Sequence, residues 1–542
     1  GADAYNTAVG FQAARLMSTG VNNTIVGALA GDALTTGVRN TAIGLGALST
    51  EDTGSRNVAV GWYALVNQDY DGTAYNTAVG YNAGGAVSTG IQNTVLGGLA
   101  GDALTTGSDN VAIGYYSMSA DDAGGRSVAV GSHALTNQNG GSLHVYNIGI
   151  GYNAGASITN ATQNTIIGGL AGDALTEGSN NTALGYGALG SEDTSSYAVA
   201  IGHNALATQN APSDTYNVAV GKSAGYAITT GTTNTLIGGQ AGDALTTSGA
   251  NVAVGYQALS TEDTTGGVTA IGYQALKTQN ASSTSYNVAV GYQAAKEVTT
   301  GVGNSIVGGA AADALTTGSY NVAMGSFALS VEDTGSRSIA IGYAALENQN
   351  NDDDNYNVAV GHNAGKMIST GTHNSIVGGL AGDAFTTGDR NVAVGYSALT
   401  SEDTGSRSTA VGYFALADQN NDSTNYNTAL GYAAGENIST GVFNTVLGAL
   451  AGDAITGGTN NVVIGYNSAV ATNGSNQIVI GSNAQAVNGS NGITLGDSNI
   501  TYFQCQVQTI TALSDERDKT NIEDSQYGLN IIENLKPVKF EW

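Results

Sequence analysis

Paired carboxylates are the first residues in this sequence whose type and spacing could do chemistry. The pairs are Glu51-Asp52, Asp121-Asp122, Glu192-Asp193, Glu262-Asp263, Glu332-Asp333 and Glu402-Asp403. In some pairs an arginine follows the second acid at a fixed short interval: Arg56, Arg126, Arg337 and Arg407. Carboxylates repeated in this way could bind Ca²⁺. The alternative, which we favour, is an exposed turn in which an Asp and an Arg form a local pair.

A second aspartate recurs in Ala-Gly-Asp-Ala-Leu and its close variants, at Asp32, Asp102, Asp173, Asp243, Asp313, Asp383 and Asp453. Its fixed place beside Gly and Ala favours a turn or backbone-bonding role over metal binding. The histidines form no cluster with ligand spacing, and no Ser/His/Asp set or glycosidase carboxylate pair stands out. We expect no substrate-directed enzyme, no cofactor and no bound metal.

Tyrosine is abundant, with 27 residues, and many tyrosines follow a glycine that ends an apolar segment. Examples are Tyr81, Tyr152, Tyr256, Tyr273, Tyr343 and Tyr413. Exposed aromatic rows can stack on sugar rings, which would suit a protein that binds surface polysaccharide. Stacked tyrosines can also simply stabilise a repetitive fold, and we favour that interpretation.

The elements that position these residues are repeats. The string Tyr-Asn-x-(Ala/Gly)-x-Gly begins at nearly constant intervals, at Tyr5, Tyr75, Tyr146, Tyr216, Tyr286, Tyr356 and Tyr426. Each copy subdivides into units with an apolar segment closed by glycine, and those of the first copy end at the evenly spaced Gly10, Gly27, Gly44 and Gly61. Seven copies of four units, plus one, give 29 units.

A unit this short suits one turn of a parallel β-solenoid, in which each turn stacks on the next by backbone hydrogen bonds. With strands about 4.8 Å apart, the stack would be a rod about 140 Å long. The middle strand residue is small, usually Ala, except in the second unit of each copy (Ile25 and Val95, for example), where Gly or Ala follows the closing glycine. We expect that small neighbour to compensate for the larger side chain. The Asn that begins most strands predicts a hydrogen-bond ladder.

Composition excludes several other classes. Glycine accounts for 80 of 542 residues without a period of three and proline for only 2, so the chain is not collagen. A single cysteine, Cys505, excludes a disulfide scaffold. The 15 basic residues against 42 acidic ones disfavour a nucleic-acid partner, and no apolar run approaches a membrane span.

The strand, the following x-x-Ala-Leu segment and the unit length together resemble the head repeats of trimeric autotransporter adhesins, the YadA-like family. Examples are NVAVGYQALS at 251–260 and NVAVGYSALT at 391–400. The resemblance covers roughly residues 5–496. It implies an all-β fold, a left-handed parallel β-roll in which three chains pack into a homotrimeric rod. The narrow alanine face of the strands fits the axis of such a trimer.

The tail from 513 to 542 is similar to the start of the intramolecular chaperone domain of endosialidase-type phage tail spikes and fibres. The family's opening motif is matched by Leu513, Ser514, Asp515, Arg517, Lys519, Asn521 and Ile522. After a short helix, its Leu-x-Pro-Val-x-Phe-x-Trp segment is matched by Leu535, Pro537, Val538, Phe540 and Trp542.

In that family the domain trimerises the fibre during folding and then cuts itself off, which implies cleavage between Ser514 and Asp515. A serine hydroxyl can attack an adjacent carbonyl if a neighbouring group accepts its proton. Lys519 is the nearby candidate, provided that burial lowers its pKa. The alternative is that Ser514 caps the following turn or helix and that Lys519 is a solvated charge.

These observations predict β-roll repeats over 1–496, an extended neck over 497–513 and the incomplete start of the chaperone domain over 514–542. The N-terminus also looks incomplete, since it begins within the first repeat without Met. We expect a structural and adhesive fibre of a phage virion that recognises a host-surface glycan or protein and contacts other tail or baseplate proteins. The alternatives are a bacterial adhesin or extracellular surface fibril and, less favoured, a capsule-degrading tail spike.

Overall fold

Each short unit forms one turn of a parallel β-solenoid. The structure, a computed structural model, describes residues 3–141, 144–486, 489–504 and 506, and this part contains strands but no helix. There are 29 strands of three residues. The strands are β1 Thr7–Val9, β2 Thr24–Val26, β3 Thr41–Ile43, β4 Val58–Val60, β5 Thr77–Val79, β6 Thr94–Leu96, β7 Val111–Ile113, β8 Val128–Val130, β9 Ile148–Ile150, β10 Thr165–Ile167, β11 Thr182–Leu184, β12 Val199–Ile201, β13 Val218–Val220, β14 Thr235–Ile237, β15 Val252–Val254, β16 Thr269–Ile271, β17 Val288–Val290, β18 Ser305–Val307, β19 Val322–Met324, β20 Ile339–Ile341, β21 Val358–Val360, β22 Ser375–Val377, β23 Val392–Val394, β24 Thr409–Val411, β25 Thr428–Leu430, β26 Thr445–Leu447, β27 Val462–Ile464, β28 Ile478–Ile480 and β29 Ile493–Leu495.

Every strand pairs in parallel with the next strand in the sequence, so the chain adds one strand per turn without crossovers. The middle residues are always opposite one another, as in Ala42↔Ala59 between β3 and β4. Backbone hydrogen bonds continue between the turns outside the strands, for example from Tyr63 N to Leu45 O at 3.0 Å. The prediction of an all-β parallel solenoid of about 29 turns is confirmed; handedness and the trimer stay predictions.

The closing glycine of each strand is required by the stacking itself. Gly44 has a φ of +134°, a backbone conformation that favours glycine. A Cβ atom at Gly44 would also collide with the carbonyl oxygen of Gly61, the closing glycine of the next turn. Any side chain at this column would therefore separate the turns.

The core is a narrow column inside the turns, and its volume is shared between two positions. In the third and fourth units of most copies the middle strand residue is Ala and the fourth residue after the closing glycine is a buried Leu, such as Ala42 with Leu48. In the second unit of a copy the large and small residues exchange positions: the middle strand residue is large, such as Ile25, and it faces a small residue, Gly31, four positions after the closing glycine. A Cβ at Gly31 would lie 3.2 Å from the Ile25 Cδ1 atom.

This exchange corrects our expectation about the second units. The residue directly after the closing glycine, such as Gly98, does not compensate for the large middle residue. Val95 is fully buried, whereas a Cβ at Gly98 would have only the Cδ2 atom of Tyr115 within 4 Å, at 3.8 Å. The compensating glycine is Gly101, at the position that the third and fourth units of most copies fill with the buried Leu, because it faces the same core column.

A buried asparagine column runs beside the core, as predicted. The Oδ1 atom of Asn23 accepts a hydrogen bond of 2.8 Å from the backbone N–H of Asn40 in the next turn. Its Nδ2 atom donates to the carbonyl oxygen of Gly37 at 2.9 Å. Asparagines of this kind satisfy buried backbone groups and fix the register of two adjacent turns, although the Nδ2 atom of Asn57 has no partner among the described residues.

Candidate functional surfaces

The predicted self-cleavage residues Ser514, Asp515 and Lys519 lie outside the described residues, so cleavage stays a prediction. The described part instead presents three repeated features. These are the outward face of the strands, the aromatic rows at the two ends of each strand, and a column of carboxylates inside the turns.

The outward face of the solenoid's sheet is apolar along its length. Side chains alternate across a strand. Because the middle Ala lies in the core, the first and third residues point outward, and several of them are well exposed, such as Ile43 at 38%, Leu96 at 45% and Met324 at 44%. Our expectation that the alanine face lines a trimer axis is therefore wrong, since alanine fills the inside of each turn. The Val, Ile, Leu and Thr face is the one left free.

The first aromatic row, which we call the C row, consists of the residues that directly follow the closing glycines. Its rings stack along the rod, as in Tyr256–Tyr273–Tyr292 with centroids 5.7 and 5.3 Å apart. Tyr396, Tyr413 and Tyr432 repeat this at 5.5 and 5.4 Å. The stabilising stacks that we favoured from the sequence are present, and the tyrosine edges remain exposed.

A second row lies at the other end of each strand, directly before the asparagine column. It contains the tyrosines that open the copies, and arginines of the preceding turn stack on them. The guanidinium carbon of Arg407 lies 5.5 Å from the ring centroid of Tyr426, and Arg407 Nη1 donates to the Tyr426 hydroxyl at 2.9 Å. Arg126 and Tyr146 make the same pair, with a hydrogen bond of 2.8 Å.

These contacts correct the predicted pairing of the arginines with the acidic pairs. Arg56, Arg126 and Arg407 bind tyrosine hydroxyls of the next turn, and Arg337 pairs with Asp354. Sequence reasoning missed this because the partner lies a full turn further along the chain. The signal was present, since each of these arginines precedes a copy-opening tyrosine by one turn.

The first acid of each pair is buried rather than exposed, which is a second correction. The residues Glu51, Asp121, Glu192, Glu262, Glu332 and Glu402 have no exposed surface. Glu402 accepts a hydrogen bond from the Gly405 N–H at 2.7 Å and another from Gln419 Nε2 at 2.8 Å. The carboxylate therefore closes its turn and joins it to the next one. Burial raises the pKa of Glu402 and Asp121.

One carboxylate cluster in the described part has the spacing of a metal site. Ligand atoms of Glu51, Asp52 and Asp69 lie within 4.8 Å of one another. Glu51 already accepts hydrogen bonds from the N–H groups of Gly54 and Tyr70, and burial raises its pKa to about 7. Asp69 is exposed, and the other copies that have an acidic pair carry Asn at its position. The cluster is thus an isolated feature of the first copy.

The main chain of the recurring aspartates of the Ala-Gly-Asp segment joins adjacent turns, and the role predicted for their side chains stays a prediction. The carbonyl oxygen of Asp102 accepts a hydrogen bond of 3.0 Å from the Ala86 N–H in the preceding turn. Their carboxylates are half-buried, and desolvation raises the pKa of Asp102, Asp173, Asp313 and Asp383, and that of Asp243 to about 6.

No helix in the described ranges is long and apolar enough to cross a membrane.

Comparison with protein families bears on the C-terminal segment. Residues 514–542 match the family described as "Chaperone of endosialidase". No curated protein matches the chain. The resemblance predicted for the C-terminal segment is thereby confirmed. The match and the solenoid of about 29 turns fit a tail fibre that carries an endosialidase-type chaperone domain.

Proposed function

We propose that this chain forms the shaft of a homotrimeric phage tail fibre, which attaches the virion to the host surface. The observation that supports it most is the combination of an outward apolar strand face with a C-terminal segment of the endosialidase chaperone family. The chaperone segment favours a phage fibre over a bacterial adhesin, because the resemblance links that domain to tail spikes and fibres.

The strand face supports association with further copies of the chain. Soluble monomers rarely expose contiguous apolar patches larger than about 300–600 Å². This face instead continues over 29 turns, with residues such as Ile237, Val377 and Leu447 exposed by about two fifths. Because the face is only three residues wide, three copies can pack their strand faces around one axis while the rest of each turn stays exposed.

The mass of the native fibre tests the trimer. We expect three times the mass of the subunit that the same preparation gives under denaturing conditions. Ile43→Asp, Leu96→Asp and Met324→Asp together should lower the oligomeric state, because they place charges on the shared face. Thr36→Asp, at an exposed turn, is the matched control and should leave the mass unchanged. A native mass of one subunit for the unsubstituted fibre would contradict the proposal.

The self-cleavage follows from the chaperone family and is proposed for the bond between Ser514 and Asp515. The complete protein should yield a mature subunit that ends at Ser514, and Ser514→Ala should leave the subunit uncleaved. Lys519→Met should slow cleavage if the lysine accepts the serine proton. Intact mass spectrometry measures all three, and a wild-type subunit that is never cut would contradict the proposal.

Attachment is tested with the purified, fluorescently labelled fibre on a panel of bacterial strains. We expect the fibre to label the surface of the strains that its phage infects and to block adsorption of that phage. Labelling of no strain, or labelling without competition, would contradict the attachment role.

A further inference from the structure

We propose that the C row contains sugar-binding slots. Each slot is a turn whose C-row residue, here called a rung, is small and lies between aromatic rungs of the two adjacent turns, and each slot holds one ring of a neutral polysaccharide. This inference rests on the proposed attachment function and names the ligand class and the site.

The slots are interruptions in the aromatic row with the period of the copies. In the second turn of each copy the C-row residue is Ala28, Gly98, Gly169, Gly239, Gly309, Gly379 or Ala449. On both sides of most of these positions the row resumes with rings. Tyr81 and Tyr115 flank Gly98, Tyr152 and Tyr186 flank Gly169, His362 and Tyr396 flank Gly379, and Tyr432 and Tyr466 flank Ala449.

Nothing within the described part of the chain requires glycine at these rungs. Gly98, Gly169 and Gly379 do not have a positive φ, unlike the closing glycines. A Cβ atom there would make only ordinary contacts, the nearest being 3.8 Å, 3.6 Å and 3.5 Å from the Cδ2 atom of the next tyrosine. A glycine that its own fold does not need marks a place where another molecule comes close to the backbone.

At the Gly379 slot the ring faces that border the gap are free. Within a stack, neighbouring rings cover each other's faces. His362 stacks on Tyr343 at 5.4 Å, and Tyr396 stacks on Tyr413 at 5.5 Å. The uncovered faces of His362 and Tyr396 therefore both look onto the Gly379 rung. The half-buried Leu380 follows Gly379 and adds an apolar side chain beside the gap.

The dimensions of the gap fit a sugar ring. Two strand spacings separate the flanking rungs, which is about 9–10 Å. Carbon atoms in contact lie about 3.5–4 Å apart, so a flat aromatic ring would leave the gap loose. A pyranose is thicker, because its C–H groups project from both faces, and these groups pack against the electron-rich faces of aromatic rings. The ring enters edge-on from solvent, so its glycan chain crosses the rod.

Charge narrows the ligand class to neutral glycans. The chain carries a formal net charge of −27, which repels polyanionic capsules. The four flanked slots repeat along one rod, so many weak contacts with neighbouring glycan chains add by multivalency. Gly239 and Gly309 make half-slots, since Lys222 and Ser326 replace one ring of each.

The test uses the complete fibre on an array of purified neutral bacterial O-polysaccharides and hexose oligomers. We expect binding to at least one glycan, and a loss of at least tenfold when Gly98, Gly169, Gly379 and Ala449 are all replaced by Tyr. The glycines have ordinary φ and open space, so this variant should unfold at the wild-type temperature. Tyr115→Ala, Tyr186→Ala, Tyr396→Ala and Tyr466→Ala together remove one ring per slot and should also abolish binding.

Two matched controls should keep wild-type binding: Gly→Ala at the three glycine slots, and Gly239→Tyr with Gly309→Tyr at the half-slots. No glycan bound by the wild type, or equal binding by the filled-slot variant, would overturn the proposal. So would protection of Tyr115 and Tyr186 from nitration in the glycan-free fibre, because a second copy would then cover the row. If the filled-slot variant still labels bacteria like the wild type, the slots fail while attachment stands.

Discussion

The third turns of the first and sixth copies bury the same carboxylate in different surroundings. Glu402 in the sixth copy accepts hydrogen bonds from Gly405 N, Gln419 Nε2 and Asn425 Nδ2. Glu51 in the first copy accepts from the backbone of Gly54 and Tyr70. The corresponding glutamine, Gln68, donates instead to the carbonyl oxygen of Ser88 at 3.2 Å.

The difference begins with one residue of the asparagine column. In the sixth copy Ser408 stands at this position, and its hydroxyl accepts a hydrogen bond of 2.8 Å from Gln419. In the first copy the position is Asn57, and Gln68 instead donates to the carbonyl oxygen of Ser88 and accepts from Asn76 Nδ2. Two positions thus differ between the copies: the column residue, and the position of the donor Asn425, which is Ala74 in the first copy. Repeats that look equivalent in sequence therefore differ in electrostatics.

The largest expected effect separates the two carboxylates directly. Glu402→Ala leaves the buried donors Gly405 N and Asn425 Nδ2 without an acceptor and removes one of the two acceptors of Gln419 Nε2, so it should lower the local free energy of unfolding by about 3 kcal/mol. Glu51→Ala leaves two donors, the N–H groups of Gly54 and Tyr70, without an acceptor. It also removes a buried carboxyl group that is unfavourable when charged, so the free energy of unfolding should fall by only about 1 kcal/mol. Hydrogen exchange of the segments 402–427 and 51–76, measured by mass spectrometry, compares them. Equal losses of unfolding free energy in the two variants would show that Glu402 and Glu51 stabilise their turns to the same extent.

The pH dependence of the first copy should be the next largest effect. Burial raises the pKa of Glu51 from 4.5 to about 7. Because the folded state favours the neutral acid, the local stability is greatest below pH 4.5 and falls as the pH rises through 7. The expected fall is no more than about 3 kcal/mol. After correction for intrinsic exchange, protection of 51–57 should decline between pH 5 and pH 7 and then level off. In Glu51→Gln the same profile should be flat, and a sloping one would contradict the assignment.

A single exchange should make the first copy more like the sixth. We expect Asn57→Ser to let Gln68 donate to Glu51, as Gln419 donates to Glu402, which should lower the pKa of Glu51. The gain of about 1 kcal/mol is offset by the loss of the hydrogen bond from the Asn76 N–H to Asn57 Oδ1. The pH at which protection of 51–57 declines should move down accordingly. Ser408→Asn is the reciprocal control and should move the sixth copy in the opposite direction. No movement in either variant would mean that the column residue is not the cause.

The smallest effect should be common to both copies. Arg56 and Arg407 stack on Tyr75 and Tyr426 at the surface, with guanidinium-to-centroid distances of 5.2 and 5.5 Å. Replacing either arginine by Ala should cost about 0.5–1 kcal/mol, reduced by salt. Exchange rates near Tyr75 and Tyr426 should rise equally. A clearly larger effect in one copy would show that the arginines also take part in the carboxylate difference.

Sequence alone predicted whatever depends on one unit and its period. The closing glycine, the short apolar strand and the leading asparagine each determine a local feature, so the solenoid, its register and the asparagine ladder followed. The predictions failed where they depend on whether a side chain points into or out of the solenoid. This direction decides where the alanine face lies, how exposed Glu51 and Glu402 are, and which residues Arg56 and Arg407 contact, and it follows from where the chain bends within each turn.

A usable signal for the buried carboxylates was nevertheless present. In every copy that has an acidic pair, a glutamine lies one unit length after the first acid, as Gln419 does after Glu402. Residues separated by that length are stacked, so an acid and an amide at this interval predict a buried hydrogen bond. The self-cleavage residues Ser514, Asp515 and Lys519 carry no comparable repeat, and only their resemblance to a family identified them.

The strict pairing of each turn with the next has a consequence for inheritance. No described strand crosses over to a distant one, so a whole four-turn copy could be lost or duplicated without disturbing any other contact. Each event would change the rod by four strand spacings, about 19 Å. Near-identical copies in one gene are natural substrates for unequal recombination. The reach of the fibre is therefore a quantity that a lineage can adjust in fixed steps, without redesigning the fold.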